Sequence, residues 1–582
     1  MKLTDVFAKT VKKIGINNVF GLQGGAVVHF FDSLEKFGVN VTYMHHEESA
    51  ALAATAHAKA TENIGCAIVT TGPGSTNAIT GLMAAWQDSV PCLFISGQAR
   101  SQHVSYGKKV RQVGTQEVNI CDVVRPLTKY TKFINNKKYF LDEINKAILI
   151  AKSGRPGPVW LDVPLEIQWS DIKFNIKLIL KKKVSRKRIS NKSKKIFKKI
   201  FKYIKKSKKP LLILGYGARG PEKHRLLSKF IEKYKIPFVT TWNGRDIFET
   251  SNNFNLGIIG MSGQRGANKA IFNSDLLLCL GTHLSIPHTT TLYDSYAPKA
   301  KKIIVNIDKN QLENLNIKFD LKVNEDLLNF LNWTNKTTAK FKFNWKNLNK
   351  FKEMNWYKIN QGKKPNSNLF IHELTKKIKT KTCLIVDGGG TALYSGFQSS
   401  IIKKNSRIIC SSAISAMGTG LAETIGVSKS KNFNKLICVI GDGSFLMNIQ
   451  DLQTIAQDKI NVLILLVNNN GYLAIRHTQK EFLNGRYFGT HPKGKLTFPC
   501  FKDLAKSFKI KYISIKNSKQ IMQSIQYLNK TKGPIICELF VDENQDSLFK
   551  QGYLQKSSGL FEPQSLSEMY PFMSKPIANT NN

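Results

Sequence analysis

Two polar residues of this sequence, Asp442 and Asn469, each follow a run of aliphatic residues that is typical of a buried strand. The runs cover residues 436–440 and 462–467. Between them, apolar residues recur at helical spacing: Leu446, Ile449, Leu452 and Ile455. A strand–helix–strand unit makes its two strands parallel, so both strands end at the same edge of the sheet. The sequence therefore predicts that Asp442 and Asn469 meet at that edge, where open α/β sheets bind ligands.

The segment around Asp442 also has the residues of a phosphate-binding turn. Gly441 and Gly443 allow a tight turn, and Ser444 is expected to open a helix whose free N–H groups favour phosphate. Mg²⁺ takes one or two protein oxygens, keeps several waters and uses substrate phosphates for its other positions. The pattern of GDG, 24 further residues and NN fits such a diphosphate–metal site. A GDG alone is an ordinary turn in most proteins, so the prediction depends on the whole unit.

The rest of the chain repeats this alternation of strands and helices. Strand-like and helix-like patterns alternate in three stretches, which predicts an α/β protein with three doubly wound parallel-sheet domains. We expect these domains at residues 1–170, 190–335 and 368–550, followed by a C-terminal extension and tail over 551–582.

The segments between these domains are richer in lysine and asparagine. A weakly periodic, lysine-rich segment over 171–195 is interpreted as a linker, and residues 332–350 as a polar connector. An apolar stripe follows the linker: Ile196, Phe197, Ile200, Phe201 and Ile204. The stripe indicates the first helix of the middle domain, because a strand-like run begins at residue 211. A helix lying on a membrane surface is the alternative.

Composition argues against several classes of protein. The 582 residues include 87 Lys and Arg against 40 Asp and Glu, a net charge of +47 that would usually suggest nucleic acid. The lysines are scattered among Asn and Ile without a nucleic-acid motif, so we predict only salt-sensitive, nonspecific binding to polyanions. The nine cysteines lack metal-ligand spacing, and neither a signal segment nor a transmembrane run is found. We expect a soluble cytoplasmic protein without a specific nucleic-acid or membrane partner.

Together the motifs resemble those of the thiamine diphosphate (ThDP) enzymes, and the chain looks most like the catalytic, or large, subunit of acetolactate synthase. The segments that carry the resemblance are GLQGGA, HHEESAALAA, TTGPGSTNAITGLMAAWQDSVPCLFISGQ, TQE, MGTG, GDGSFLMNIQ and LVNNNG. The resemblance implies a fold of the pyruvate oxidase and decarboxylase type. Its domains would be an N-terminal pyrimidine domain, a central FAD- or nucleotide-type domain and a C-terminal diphosphate domain. It implies ThDP and Mg²⁺ as cofactors, with FAD as a further candidate.

Carried over residue by residue, the resemblance assigns Glu47 as the catalytic glutamate that hydrogen-bonds N1′ of the aminopyrimidine ring. An acid at this nitrogen favours the imino form of the ring, whose 4′-nitrogen takes the proton from C2 of the thiazolium. The alternative is that Glu47, like the adjacent Glu48, only complements the dipole of a helix start. Gly25 and Gln116 match residues that line the reaction pocket.

The resemblance also assigns a ligand set to the GDG…NN unit. Asp442, Asn469 and the carbonyl of Gly471 match the Mg²⁺ ligands of the family. Gly443 and Ser444 match contacts to the diphosphate. These five residues are therefore expected at one cofactor site.

Two further segments are assigned to the same cofactor. Met417, in AMGTG, matches the hydrophobic residue over which ThDP folds into its bent shape, and a plain core methionine is the alternative. In DGGGTA, Gly390 and Thr391 stand where the family has a Gln-His pair at the diphosphate. With the preceding Gly389 they are expected to contact the cofactor.

The sequence departs from the family mainly where the acceptor substrate would bind. Acetolactate synthases usually carry GARFDDR, in which one arginine contacts FAD and a second grips the carboxylate of the acceptor. Here the segment is GTHLSIPH, with His283 and Pro287 at those places, and proline cannot replace a bidentate arginine. Thr478 stands where the family has a tryptophan that shapes the acceptor pocket. For FAD, GYGAR (215–219) matches the glycine turn of the family, and Asp308 closes a strand where adenosine would lie.

The resemblance implies a carboligase that decarboxylates pyruvate and transfers the two-carbon unit to a second carbonyl compound, for isoleucine and valine biosynthesis. One alternative is transfer to a nucleotide-linked keto sugar in polysaccharide biosynthesis. Another is simple decarboxylation of a 2-keto acid, for which His45 and His46 would be the paired histidines. A basic polyanion-binding protein on a dead ThDP fold is the non-enzyme alternative. A homodimer or tetramer is implied, with a small regulatory subunit as a candidate partner.

Overall fold

The computed structural model describes most of the chain. The described residues are 1–173, 189–359, 362–378, 381–555 and 561–573. Most of the segment interpreted as a linker (174–188) and the end of the expected C-terminal tail (574–582) lie outside the described residues. Among the described residues, no helix is both long enough and apolar enough to cross a membrane.

The N-terminal part of the chain forms the first of three parallel sheets. Its strands are β1 (Asn18–Gly21), β2 (Asn40–Tyr43), β3 (Gly65–Val69), β4 (Cys92–Gln98), β5 (Tyr130–Phe133) and β6 (Val159–Pro164). Its helices are α1 (Leu3–Lys13), α2 (Val28–Lys36), α3 (Glu47–Thr61), α4 (Pro73–Asn77), α5 (Ile79–Gln87), α6 (Ile120–Val124), α7 (Phe140–Lys152) and α8 (Leu165–Gln168). The strand order is β2-β1-β3-β4-β6-β5, and every pair is parallel.

The middle part repeats this architecture. Its strands are β7 (Pro210–Leu214), β8 (Phe238–Thr240), β9 (Asn255–Ile258), β10 (Leu276–Leu280), β11 (Lys301–Asn306) and β12 (Leu321–Asn324). Its helices are α9 (Asn191–Lys206), α10 (Pro221–Tyr234), α11 (Arg265–Asn273), α12 (Ile286–Thr289), α13 (Lys309–Glu313) and α14 (Leu327–Lys336). The order is β12-β11-β10-β7-β8-β9, again with parallel pairs.

After α15 (Leu348–Glu353), the third sheet contains the GDG…NN unit. Its strands are β13 (Thr382–Val386), β14 (Arg407–Ile409), β15 (Lys435–Gly441), β16 (Val462–Asn468), β17 (Lys511–Ile515) and β18 (Ile535–Phe540). Its helices are α16 (Ser367–Lys377), α17 (Gly390–Ser399), α18 (Thr419–Ser428), α19 (Asp442–Met447), α20 (Asp451–Gln457), α21 (Leu473–Phe482), α22 (Phe501–Ser507) and α23 (Ile521–Lys530). The parallel order is β14-β13-β15-β16-β18-β17.

The three parallel sheets confirm the predicted α/β class. Their central strands are buried on both faces, as in the run 462–467, in which every residue is buried. Parallel sheets need this near-continuous apolar composition because helices cover both faces. Short antiparallel pairs follow the third sheet: β19 (Lys550–Gln551) with β22 (Met569–Tyr570), and β20 (Tyr553–Gln555) with β21 (Phe561–Pro563).

The N-terminal and C-terminal sheets are joined through helices α3 and α18. The alanine-rich helix α3 approaches α18 so closely that a Cβ atom on Gly426 would lie 2.0 Å from the carbonyl oxygen of Ala53. Only glycine fits such an approach. The ring Nδ1 of His57 also lies 3.1 Å from the carbonyl oxygen of Gly426. These contacts pack the N-terminal part of the chain against the C-terminal sheet.

The helix between β15 and β16 differs from the prediction. The sequence pattern suggested one helix opened by Ser444, but the structure has two short helices, α19 and α20, and α19 already begins at Asp442. The break occurs at Asn448, whose side-chain amide donates to the carbonyl oxygen of Gly418 at 3.1 Å. The single-helix prediction is wrong because the backbone of Asn448, with a φ of −133° and a ψ of +42°, leaves the helical conformation.

Helix α9 belongs to the core of the middle domain. It begins at Asn191, inside the segment interpreted as a linker, so that interpretation extends too far. Its apolar stripe is buried, with Ile196 packed at its margin, and Phe197 contacts the rings of Phe330 and Trp333. The stripe therefore faces the protein, as the first of the two sequence interpretations predicted.

The segment interpreted as a polar connector is also attached to the middle domain. Phe341 and Phe343 pack against its core, and the indole N–H of Trp345 donates to the carbonyl oxygen of Pro210 at 2.7 Å. These aromatic residues explain why an otherwise polar segment follows the surface of the domain.

We expect Phe197→Ala to destabilise the protein by about 3–5 kcal/mol, because it removes a fully buried ring from this cluster. Urea unfolding followed by tryptophan fluorescence would measure the change. Lys198→Ala, on the exposed side of the same helix, is the matched control and should change stability by about 0.5 kcal/mol or less. A membrane-surface helix would give the opposite pattern, with unchanged stability and lost vesicle binding in Phe197→Ala.

Candidate active site

Asp442 and Asn469 lie at the carboxyl edge of the third sheet, where the sequence predicted them. Asp442 follows β15, is 2% exposed, and its carboxyl group accepts hydrogen bonds from the backbone N–H of Gly443 at 2.8 Å and of Gly471 at 2.9 Å. Burial raises the pKa of Asp442 to about 6, against these hydrogen bonds, which lower it. A buried carboxyl group of this kind gains most from a nearby cation.

Asn469 supplies a second oxygen that has no partner. Its amide nitrogen donates to the hydroxyl of Thr391 at 3.0 Å, which fixes the orientation of the side chain. Its carbonyl oxygen Oδ1 is buried and makes no hydrogen bond within the described chain. An unsatisfied buried oxygen is costly unless a ligand completes it.

These oxygens fit Mg²⁺ better than a transition metal. No group of three His, Cys, Asp or Glu side chains that could hold a metal is found among the described residues. One carboxylate, one amide oxygen and one backbone carbonyl would leave positions for phosphate and water, as Mg²⁺ requires. The unpartnered Oδ1 of Asn469 and the buried Asp442 are the observations on which this fit depends.

Asp387, at the end of β13, organises the loops around this edge. It is fully buried and accepts hydrogen bonds from the backbone N–H of Gly389 at 2.9 Å and of Gly420 at 3.0 Å. The Ser444 hydroxyl also hydrogen-bonds to it, and burial raises the pKa of Asp387 against these contacts. One carboxyl group thus connects the DGGG turn, the start of α18 and the GDGS turn.

The residues assigned to the diphosphate and to Met417 are adjacent. A Cβ atom added to Gly389 would lie 2.4 Å from the Ser444 hydroxyl and 3.3 Å from Cγ of Met417. Gly390 begins α17 with a φ of +29°, and Thr391 follows it. The structure therefore brings the three predicted cofactor segments together.

Two glycines of the same site are required by close contacts. A Cβ on Gly443 would lie 2.1 Å from the ring of Tyr472. Gly471 has a φ of +138°, and a Cβ there would lie 1.9 Å from the carbonyl oxygen of Thr490. Both positions exclude larger residues, so the turn geometry depends on them.

Glu47 lies at the corresponding edge of the first sheet, at the start of α3. It is 7% exposed, and the side-chain amide of Asn77 donates to its Oε2 at 3.0 Å. The adjacent Glu48 is more exposed, and burial raises its pKa. Glu47 therefore differs from its neighbour in having a fixed orientation.

Gly25 and Gln116 are at the same edge, next to the turn after β3. Both are exposed, and a Cβ on Gly25 would meet no atom within 4 Å. Gln116 has a φ of +61°, and its carbonyl oxygen accepts a hydrogen bond from the Thr71 hydroxyl at 3.3 Å. These contacts leave the Gln116 side chain facing solvent in the single chain.

The predicted residues thus form two groups. Glu47, Gly25 and Gln116 belong to the N-terminal sheet, and the metal and diphosphate residues belong to the C-terminal sheet. Between the two domains, the Ser49 hydroxyl donates to Asp451 at 2.9 Å. Among the hydrogen bonds and ion pairs of the described residues, none joins Glu47 to Asp442 or Asn469 within one chain.

The residues at the places of the two family arginines and of the family tryptophan carry no positive charge. Burial lowers the pKa of His283, so its ring is neutral at neutral pH. Pro287 is exposed in the first turn of α12. Thr478 is also exposed, and its hydroxyl donates to the carbonyl oxygen of Ala474 at 3.3 Å.

Two backbone N–H groups of the GYGAR turn, which the sequence suggested for FAD, are used within the fold. The backbone N–H of Gly215 donates to Leu280 at 3.0 Å, and that of Gly217 donates to Gly281 at 2.9 Å. A phosphate would need such N–H groups to be free. Asp308 caps α13 and forms an ion pair with Arg155 at 3.1 Å.

The sequence motifs predict no role for Asp387, although its position carries a signal. It directly follows the apolar run CLIV, in the same relation to its strand as Asp442 to β15. Its hydrogen bonds come from segments that are distant in sequence, which no local pattern predicts.

Comparisons with known proteins agree with this geometry. Residues 1–123, 197–333 and 388–539 match the family descriptions "Thiamine pyrophosphate enzyme, N-terminal TPP binding domain", "central domain" and "C-terminal TPP binding domain". The chain is 30% identical over 553 residues to the acetolactate synthase large subunit of Pyropia yezoensis, covering 92% of this chain and 91% of that protein. It is 28% identical to the large subunit of Haemophilus influenzae, covering 99% of each. With the isozyme 2 large subunit of Escherichia coli K12, identity is 27%, covering 91% of this chain and 93% of that protein.

Proposed function

The chain belongs to the thiamine pyrophosphate enzymes as an acetolactate synthase-like carboligase, and we propose that it decarboxylates pyruvate and transfers the resulting two-carbon unit to a second carbonyl compound. The observation that carries the proposal is the buried Asp442 beside the unpartnered Oδ1 of Asn469, at a glycine-lined edge. That arrangement supports a diphosphate held through a metal ion. Acetolactate, for isoleucine and valine biosynthesis, is the product that the relatives favour.

Mg²⁺ would be held by Asp442, by Oδ1 of Asn469 and by the carbonyl of Gly471. Gly389, Gly390, Thr391, Gly443 and Ser444 would surround the diphosphate, and Met417 would support the cofactor rings. When bound, ThDP supplies an acidic carbon that adds to the keto carbon of pyruvate and accommodates the charge left when CO₂ departs.

Glu47 would hold a proton at N1′ of the aminopyrimidine ring. Its fixed carboxyl group, oriented by Asn77, is suited to that role because general acid–base groups must be held in place. Gly25 and Gln116 would line the space in which the acceptor approaches. Their exposed positions leave that space open in the single chain.

A nucleotide-linked keto sugar is the second candidate acceptor. The favouring observation is that Pro287, at the place of the arginine that grips the acceptor in the family, offers no positive charge to the carboxylate of a second pyruvate. Simple decarboxylation is less well supported. His45 is exposed and His46 is the cap residue of α3, so this pair belongs to a strand-to-helix turn.

FAD is assigned no step, because the GYGAR turn and Asp308 are engaged within the fold. The visible absorption spectrum of the purified protein tests this assignment. Flavin bands that remain after gel filtration would contradict it.

A homodimer or tetramer is the assembly that we propose. Exposed apolar side chains stand close in the chain to both groups of site residues: Val110 and Val113 precede Gln116, and Ile475 and Phe482 lie on α21, which follows Gly471. Apolar residues exposed in a single chain are suited to an interface between copies. Analytical ultracentrifugation that gave only the mass of a single chain would contradict the assembly.

The relatives are called large subunits, which supports a small regulatory partner. Copurification from the source cells would test for this partner.

A reducing compartment such as the cytoplasm is the proposed location. All nine cysteines are free thiols, eight of them buried, and burial raises the pKa of Cys92 to about 12. Such thiols are unreactive core residues. Disulfide bonds detected in the native protein by a thiol count below nine would contradict this location.

Product analysis separates the candidate reactions. We expect the purified protein, given pyruvate, ThDP and Mg²⁺, to form acetolactate, measured by chromatography against a standard. Glu47→Gln protein is the control for nonenzymatic product. Product formed only after a nucleotide-linked keto sugar is added would favour the second acceptor, and accumulation of acetaldehyde would favour simple decarboxylation.

A further inference from the structure

We propose that Arg476 is a positioning residue that fixes the metal-binding loop, residues 469–471, in the conformation that presents oxygen to the cation. The inference rests on the proposed cofactor site and adds to it a residue that is no ligand itself. Arg476 lies on α21 and is only 4% exposed.

The guanidinium group of Arg476 donates only to backbone carbonyl groups in its described hydrogen bonds. One terminal nitrogen donates to Asn470 at 3.0 Å and to Thr490 at 3.3 Å. The other donates to Asn469 at 2.8 Å and to Glu543 at 2.7 Å. A single side chain therefore connects the loop after β16, the segment after α21 and the segment after β18.

The loop that Arg476 holds has an unfavourable backbone conformation. Asn470 has a φ of +58° and Gly471 a φ of +138°, so two successive residues are left-handed. Such conformations persist only when surrounding contacts impose them. The backbone N–H of Gly471 reaches Asp442 at 2.9 Å in this conformation, and that of Tyr472 reaches the carbonyl oxygen of Thr490, also at 2.9 Å.

The arrangement determines which oxygens of the loop remain available. The backbone carbonyl of Asn469 is used by Arg476, whereas its side-chain Oδ1 has no partner in the described chain. Arg476 thus keeps the backbone of Asn469 turned away and its side chain free for the metal. Lysine could not replace it, because a single ammonium group lacks the planar fork that reaches four carbonyl groups.

The test compares Arg476→Met with Arg476→Lys. Removing partners that orient metal ligands typically costs about 10–100-fold in metal affinity. We therefore expect the Mg²⁺ concentration that half-saturates ThDP binding, measured by titration calorimetry, to rise by about 10–100-fold in Arg476→Met. Arg476→Lys should show a smaller rise. The KM for pyruvate should change little, and kcat should recover when Mg²⁺ is in large excess.

Arg245→Met is the matched control. Arg245 is 1% exposed and donates to the Thr250 hydroxyl and to the Ser400 carbonyl, both at 3.2 Å, without contacting the metal loop. Its loss should lower stability and leave the Mg²⁺ requirement of ThDP binding unchanged. A purely structural role for Arg476 would give the same pattern as this control.

The outcomes separate this inference from the proposed function. An unchanged Mg²⁺ requirement in Arg476→Met, with a raised requirement in Asp442→Ala, would overturn the role of Arg476 alone. ThDP binding that is independent of Mg²⁺ in the wild-type protein would overturn the metal site itself. If Arg476→Met does not fold, an unchanged Mg²⁺ requirement in Arg476→Lys overturns the inference, since one ammonium group cannot hold all four carbonyls.

Discussion

Replacing Glu47 with glutamine is expected to lower turnover by about 100- to 10,000-fold, the usual contribution of a general acid–base group, while ThDP binding stays nearly unchanged. Glutamine has the same shape, and its amide oxygen can still accept the hydrogen bond from Asn77. It cannot hold the acidic proton that the aminopyrimidine ring requires. Steady-state kinetics would measure the loss, and titration calorimetry would measure ThDP binding.

Glu48→Gln is the matched control for this substitution. Both glutamates lie in the first turn of α3, so an interaction with the helix dipole would be similar for each and worth about 0.3–1 kcal/mol. The proposed role requires a large effect at Glu47 and a small effect at Glu48. Unchanged turnover in Glu47→Gln, or equal losses in both variants, would refute it.

Replacing Asp442 with alanine should instead remove the cofactor. Asp442 is the one charged oxygen donor in the proposed metal set, and its carboxyl group also accepts two backbone hydrogen bonds that shape the turn and the loop. Contacts to a charged group contribute about 1.5–3 kcal/mol each, so we expect ThDP affinity in the presence of Mg²⁺ to fall by roughly 100-fold or more. Titration calorimetry would measure the change.

Two companion variants locate the cause. Asp442→Asn keeps the shape of the side chain and removes its charge, so it should weaken ThDP binding nearly as much if the metal contact dominates. Asp458→Ala removes a partly exposed carboxylate that pairs with Lys429 at 2.6 Å, and should leave cofactor binding unchanged. If Asp442→Ala bound ThDP as tightly as the wild-type protein does, with the same requirement for Mg²⁺, the role assigned to Asp442 would be contradicted.

The strands of the third sheet could be predicted from the sequence because parallel strands buried on both faces need uninterrupted apolar runs. β16 is such a strand. The division of the following helix into α19 and α20 could not be predicted. It occurs at Asn448, whose side chain donates to the carbonyl oxygen of Gly418, 30 residues away, and no local pattern predicts such a contact.

The site also contains residues that the sequence predicts and residues whose roles depend on tertiary contacts. Asp442 and Asn469 could be placed because each follows a strand, and strand ends of a parallel sheet converge. Arg476 was not assigned a role, since its partners include the carbonyls of Thr490 and Glu543, which carry no side-chain signal. The absence of arginine at Pro287 was visible in the sequence. No sequence motif identifies a side chain that would bind the acceptor in place of that arginine.

Isotope tracing with pyruvate follows both halves of the proposed reaction. With ThDP and Mg²⁺, the purified protein should release labelled CO₂ from pyruvate labelled at carbon 1. Pyruvate labelled at carbon 2 should give a product in which two labelled carbons are directly bonded, seen as carbon–carbon coupling by NMR. This result would establish both the loss of CO₂ and the new bond between donor and acceptor. Release of no labelled CO₂, whichever acceptor is supplied, would contradict the proposed decarboxylation of pyruvate.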